Sequence, residues 1–186
     1  MFPPRPTELL HVLLKGEIVT GDFVIDATAG NGHDTVFLAR AVGAAGRVVA
    51  IDIQQQALIS TAVRLESEGL RERVVIHCGC HSDLAEIAGS DRPRAIVFNL
   101  GYLPGGDHDL ITQTENTVKA LAAASDILMP GGVLAVVCYP GHDGGDEEAA
   151  AVEVFITSLK AQRTARYSLI SKEKPMPFLL LSKKPG

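Results

Sequence analysis

The feature that most constrains this chain is a repeated alternation of short, wholly apolar runs with longer stretches of helical periodicity. Phe23-Val24-Ile25-Asp26-Ala27, Arg47–Asp52, Val74–Cys78, Ala95–Asn99 and Val133–Tyr139 are runs of five to seven residues rich in Val and Ile. Between them lie His33–Val42, Gln54–Glu68, Asp83–Ala88 and Leu110–Leu128, and Glu147–Leu159 follows the last; all five have helical spacing. A strand that is apolar at every position has no face to offer water, so both of its faces must be covered. Helical crossovers supply that cover, and the pattern therefore predicts an α/β fold with a mostly parallel sheet. Gly69 can close the second helix from a left-handed position, and Pro130-Gly131-Gly132 halts the fourth. The last two runs, Ala165–Ser171 and Phe178–Ser182, are separated only by Lys172–Pro177. A parallel crossover needs about a dozen residues, so these two strands should pair antiparallel and bring the sheet to seven strands. Thr7–Leu14 reads as a short helix ending near Gly16, so residues 1–20 form a helical cover over one end of the sheet within a single domain spanning 1–186.

Composition narrows the class. The chain has 186 residues, 46% of them hydrophobic and 21% charged, and no apolar run reaches the roughly 18–20 residues of a membrane span. No membrane partner is expected. Met1-Phe2-Pro3-Pro4-Arg5-Pro6 places prolines where a signal peptide would carry a long apolar stretch. Cys78, Cys80 and Cys138 are too few and too unevenly spaced for a disulfide framework. Both observations point to the cytoplasm. A net charge of −5 argues against coating nucleic acid by charge alone. From Lys160 to Gly186, however, seven basic residues stand against the single acid Glu173, a basic face that could meet phosphate or simply be solvated. His77-Cys78-Gly79-Cys80-His81 invites a zinc reading, but strand alternation would put the cysteines on one face and the histidines on the other, so no metal site is expected.

The residues that carry chemistry begin where the first strand meets its helix, at Asp26-Ala27-Thr28-Ala29-Gly30-Asn31-Gly32-His33-Asp34-Thr35. Glycines there let backbone approach a ligand closely, and the helix start aims N–H groups outward. Asp52 ends the second strand 22 positions beyond Gly30, where a carboxylate accepts hydrogen bonds from two ribose hydroxyls. Together they describe a site for an adenosine-containing cofactor. A dinucleotide site would want a small third residue where this chain has Thr35, to pack helix against strand over a pyrophosphate. Asp26 instead brings a negative charge suited to a cationic ligand, which favours S-adenosylmethionine with its ammonium and sulfonium.

The chain order resembles class I methyltransferases: Asp26 before the turn, Asp52 after the second strand, Pro130-Gly131-Gly132 before the fifth and a terminal antiparallel pair. That resemblance covers nearly the whole chain and implies a Rossmann-like fold and S-adenosylmethionine as cofactor. Thr28 departs from it, standing at the first glycine of the usual D-x-G-x-G-x-G pattern. A narrower resemblance rests on Asp26 to Thr35, on Asn99-Leu100-Gly101-Tyr102-Leu103-Pro104-Gly105-Gly106-Asp107-His108 and on Tyr139-Pro140-Gly141-His142-Asp143-Gly144-Gly145-Asp146-Glu147. These stretches are similar to the methyltransferase family labelled rRNA methylases, whose characterised members methylate the aminomethyl group of 5-aminomethyl-2-thiouridine at the tRNA wobble position. The resemblance implies cofactor contacts from Asp26, Thr28, Ala29, Gly30, Asn31, Gly32, Asp34, Thr35, Asp52, Gln54 and Asn99. His81 matches the family's histidine after the third strand, while Cys80 before it is a variation. It further implies tRNA, at its anticodon region, as partner; a homodimer is a further expectation.

The loop Asn99–His108 follows the fourth strand, where class I enzymes hold the methyl acceptor. Tyr102 is placed to stack on an extruded base, or else to cap the core, with Asp107 as N-cap of the helix from Leu110. His142 lies in a second glycine-rich loop after the fifth strand, as a pocket residue or a surface histidine. Methyl transfer requires a neutral acceptor amine, and Asp107, His108, His142 or solvent could take its proton. Three functions stay open from sequence: a wobble-uridine methyltransferase, a class I enzyme acting on ribosomal RNA or a small molecule, and a non-catalytic module that binds an adenosine cofactor.

Overall fold

A computed structural model of the chain describes residues 4–101, 113–171 and 173–186. Seven strands form one sheet: β1 (Phe23–Asp26), β2 (Arg47–Asp52), β3 (Val74–Cys78), β4 (Ala95–Asn99), β5 (Val133–Cys138), β6 (Arg163–Ser168) and β7 (Phe178–Lys183). Their order across the sheet is β3-β2-β1-β4-β5-β7-β6. The first five pair in parallel, whereas β7 runs antiparallel to both β5 and β6. This is the class I methyltransferase arrangement expected from sequence.

Strand alternation divides the core in two. Val24, Val48, Ala50, Val97, Ala135 and Val137 project to one face, against Leu10 and Leu14 of α1 (Pro6–Leu14), Val36 and Leu38 of α2 (His33–Val42), and Leu58 and Leu65 of α3 (Gln55–Ser67). Ile25, Val49, Ile51, Ile96, Phe98, Leu134 and Val136 project to the other, against Leu84 of α4 (Leu84–Ala88), Leu121 of α5 (Thr114–Ile127), and Val152 and Ile156 of α6 (Gly145–Ser158). A fully buried side chain such as Phe98 contributes about 1.5–3 kcal/mol of burial free energy, so the interior strands hold the layers together. The edges depart from the apolar rule. Val75 on β3 is 57% exposed, and β6 carries the charged Arg163 and Arg166 along a largely exposed strand, as an edge that resists pairing with other chains should.

Among the element boundaries that differ from the sequence reading, two bear on the ends of the sheet and on the loop after β4. The last hairpin pairs Arg163 with Lys183 and Ser168 with Phe178; β6 therefore begins two residues before Ala165 and stops at Ser168, where β7 offers no further partner. Within the described residues α5 begins at Thr114, with Gln113 in the N-cap position expected of Asp107. Residues 110–112, proposed as its first turn, lie outside the described set, as does Asp107 itself.

Candidate active site

The strand order reverses between β1 and β4, since β1 leads to β2 on one side and pairs with β4 on the other. Open α/β sheets bind ligands in the crevice at the carboxyl ends of such strands. β1 delivers Asp26 to that edge with no exposed surface. Its carboxylate accepts from the Thr35 hydroxyl at 2.6 Å and from the Thr28 N–H at 3.3 Å. Asp26 thus faces into the loop, its carboxylate turned to Thr35 and Thr28. Burial, and then the negative charge of Asp34, push its pKa up to about 7 against the opposing hydrogen bonds.

Gly30 and Gly32 have φ of 52° and 79°, a region that L side chains rarely adopt. Gly32 also has no room for one: a Cβ there would stand 2.9 Å from the Thr61 Cα on α3. The Thr61 hydroxyl donates to the Gly30 carbonyl at 3.0 Å, so α3 supports the turn from behind. Arg64 of the same helix donates to the Asn31 carbonyl at 2.7 Å, and Ala29 N–H reaches the Ile51 carbonyl at 2.8 Å. Asp52 accepts from the Gly30 N–H and from the Gln54 N–H, both at 2.9 Å. A carboxylate has about four lone-pair directions, so capacity remains for further donors. Asp52, half-buried at the end of β2, both orients the turn and presents an acceptor above it.

Thr28, the departure from the glycine pattern, has a structural use. Its hydroxyl accepts the Asn99 N–H at 2.7 Å and so ties the β1 turn to the end of β4. The Asn99 amide donates to Asp34 at 2.9 Å, and Asp34 meets the His11 Nε2 at 2.6 Å. Tyr139, just beyond β5, completes the group. Burial and the Asp34 charge raise its phenol's pKa, while the Asn99 side chain and Arg5 lower it less. Asp26, Thr28, Thr35, Asn99 and Asp34 therefore form one hydrogen-bonded group and Gly30, Asp52 and Gln54 a second, with three carboxylates around a single turn. Sequence reasoning missed His11, Thr61 and Tyr139. His11 sits on a helix that read only as a cover, and no local pattern tells a histidine bound for α2 from a surface one.

The segment after β3 carries Cys80 and His81, which the family resemblance assigns to the cofactor, and the two side chains have different surroundings. Gly79 N–H reaches the Asp52 carbonyl at 3.0 Å, which holds Cys80 beside the ribose end, and the Cys80 sulfur accepts the Ser82 N–H. The His81 imidazole instead turns inward, edge-on to Phe98 with ring centroids 5.8 Å apart and 3.5 Å from the Thr117 hydroxyl. Burial lowers its pKa to about 4, against the weaker upward pull of Asp83, so it is neutral at physiological pH. Its side chain packs between β4 and α5. His142 lies across the crevice on the loop after β5. Its Nδ1 meets the Asp143 carbonyl at 2.9 Å; a carbonyl only accepts, so Nδ1 is the donor in that contact. The ring lies flush on α6: a Cβ on Gly145 would stand 2.5 Å from Nε2, and one on Gly101 3.8 Å from it. Tyr102, Asp107 and His108 lie outside the described residues. Among the described residues no group of three His, Cys, Asp or Glu side chains is placed to hold a metal ion.

Comparison with known proteins identifies the family. The family model described as "Putative rRNA methylase" matches residues 48–183. The chain belongs to that family. A second model, for protein-L-isoaspartate(D-aspartate) O-methyltransferases, matches residues 6–86, which contain the glycine turn and Asp52. A chloroplastic tRNA (mnm(5)s(2)U34)-methyltransferase of Arabidopsis thaliana is 44% identical over 164 residues, which are 83% of this chain and 60% of the plant protein. The chain thus spans well under two thirds of that relative's length. A crystal structure described as a putative rRNA-methylase from Clostridium thermocellum superposes with a TM-score of 0.94 at 36% identity, covering 99% of this chain and all of that one. A Streptococcus mutans protein described as a putative methyltransferase, solved in complex with SAH, superposes at 0.89 with 34% identity over 98% of this chain and 99% of its own.

Proposed function

We propose that this protein is an S-adenosylmethionine-dependent methyltransferase that N-methylates the aminomethyl group of 5-aminomethyl-2-thiouridine at the tRNA wobble position. The observation that carries the cofactor is Asp52, held over the Gly30 N–H at the end of β2 beside a cluster of three carboxylates. A ribose fits Asp52, and a cationic methionyl end fits the field of Asp26 and Asp34. A pyrophosphate would meet repulsion from the same charges. The wobble uridine is supported by the 44% identity to the plant enzyme, and the S. mutans structure with SAH supports the cofactor.

When bound, the cofactor supplies a methyl group on a positively charged sulfur. The chain's part is to hold the acceptor nitrogen at near-attack distance, an effect that accounts for much of such catalysis. The Thr28–Asn99 bond ties the end of β4 to the turn, which supports an acceptor position near Asn99. An alkylammonium has no lone pair, so its proton must leave before transfer. His142, on the loop after β5, and Asp107 and His108, which follow β4 in sequence, are the side chains near enough in the chain order to take it. No described helix is long and apolar enough to cross a membrane, and the three cysteines are free, which accords with a cytoplasmic setting. Nucleoside analysis of bulk tRNA from a strain lacking the gene tests the reading. The expected change is replacement of the methylaminomethyl nucleoside by its aminomethyl precursor; an unchanged tRNA profile with a missing methyl in ribosomal RNA would replace it.

A further inference from the structure

We infer that His11, contributed by α1, is a positioning residue of the active site that acts through Asp34 on the Asn99 amide. This inference rests on the methyltransferase reading above and deepens it. His11 Nε2 lies 2.6 Å from Asp34 Oδ1, and the other oxygen of that carboxylate receives the Asn99 amide at 2.9 Å. The His11 ring is itself fixed, stacked on Phe37 of α2 at 4.0 Å between centroids and 5° between planes. The Asp34 side chain is only 9% exposed, so little water competes for its oxygens. The chain of contacts therefore runs from a stacked ring, through a shielded carboxylate, to an amide at the carboxyl end of β4.

The direction of the Asn99 amide matters because its nitrogen and oxygen do opposite things. With Nδ2 committed to Asp34, Oδ1 is the acceptor that the amide has to offer at the carboxyl end of β4. An amine N–H bonded to Oδ1 has its lone pair directed away from Asn99, as transfer to nitrogen requires. Released from Asp34, the amide could turn over and offer N–H groups instead, which an amine's hydrogens cannot engage. Helix α1 is then part of the catalytic apparatus, and the Asn99 and Asp34 carried over as cofactor residues also serve the acceptor.

His11→Ala, His11→Gln and the neighbouring surface change Val12→Ala, at a side chain 61% exposed, test the inference. Gln can return a donor to the Nε2 position. The expected result is S-adenosylmethionine affinity within about threefold of wild type for all three, with kcat for methyl transfer to hypomodified tRNA falling about ten- to hundredfold in His11→Ala. His11→Gln should recover most of it, and Val12→Ala should behave as wild type. An independent readout is solvent exchange of the Asn99 side-chain amide protons by NMR, assigned by their absence in Asn99→Asp. Exchange should accelerate in His11→Ala and slow again in His11→Gln. Unchanged exchange in His11→Ala overturns the inference, as does a His11→Gln variant as slow in kcat as His11→Ala. If wild type methylates no tRNA, the functional reading fails, and the amide signal still decides whether His11 holds Asn99.

Discussion

Gly32→Ala probes the turn where backbone conformation and packing act together, and Gly69→Ala separates them. Both glycines lie in the left-handed region, with φ of 79° and 66°, and an alanine in that region is strained by about 1–2 kcal/mol. At Gly69 an added Cβ meets nothing within 4 Å, so strain is the whole effect. At Gly32 the same Cβ would stand 2.9 Å from both the Cα and the hydroxyl of Thr61, a fully buried residue of α3. Backbone on one side and a hydroxyl bonded to the Gly30 carbonyl on the other leave the methyl no room. Overpacking of this kind adds about 1–3 kcal/mol, so Gly32→Ala should destabilise by about 2–5 kcal/mol and Gly69→Ala by about 1–2 kcal/mol. Relief of the clash must push the turn off α3 and disturb the Gly30–Asp52 bond, so affinity for S-adenosylmethionine should fall about tenfold or more in Gly32→Ala alone. Urea denaturation measures the first difference and titration calorimetry the second. Equal losses of stability in the two variants, or wild-type affinity in Gly32→Ala, would show that the turn does not depend on its contact with α3.

Asp52→Ala should weaken S-adenosylmethionine binding by more than about tenfold, because hydrogen bonds to a charged group contribute about 1.5–3 kcal/mol; calorimetry with an unchanged Kd would remove Asp52 from the ribose site. Thr28→Val leaves the Asn99 N–H without its acceptor and should lower stability by about 1–3 kcal/mol, which a denaturation midpoint equal to wild type would contradict. Asp26 has a pKa raised to about 7 in the folded chain, so it contributes stability that is fully present below about pH 4 and is lost as pH rises through 7. Asp26→Asn should flatten that part of the stability curve, and a profile identical to wild type would count against the shift. A positive sulfur near Asp26 favours its ionised form, so the preference for S-adenosylmethionine over SAH should grow between pH 6 and pH 8, as paired titrations would reveal.

Much of the fold was legible because strand alternation and apolar runs leave few alternatives. Val24 and Ile25, or Val48 and Val49, could only be buried on opposite faces, and the short link before Phe178 excluded a parallel crossover. The edges were less legible: Val75 reads like a buried residue and stands exposed, because position in the sheet, not composition, decides its surroundings. At the site, the Gly30 turn and Asp52 were readable since both belong to one local βαβ pattern. Asp26 was legible as an acid at the turn but not as one closed off within it, since burial depends on Thr35 and Thr28 folding over it. His81 matched by spacing, yet Phe98 and Thr117, distant in sequence, draw its ring inward. His11 and Tyr139 reach Asp34 and Asn99 only through tertiary packing, which no window of sequence contains.

The most direct test is incubation of the purified protein with methyl-labelled S-adenosylmethionine and tRNA bearing unmethylated 5-aminomethyl-2-thiouridine, followed by digestion and mass analysis of the nucleosides. The account predicts label in the methylaminomethyl form of that nucleoside, one methyl per tRNA, and none in tRNA that lacks the aminomethyl group. Cofactor binding without transfer, or label in any other nucleoside, would contradict it.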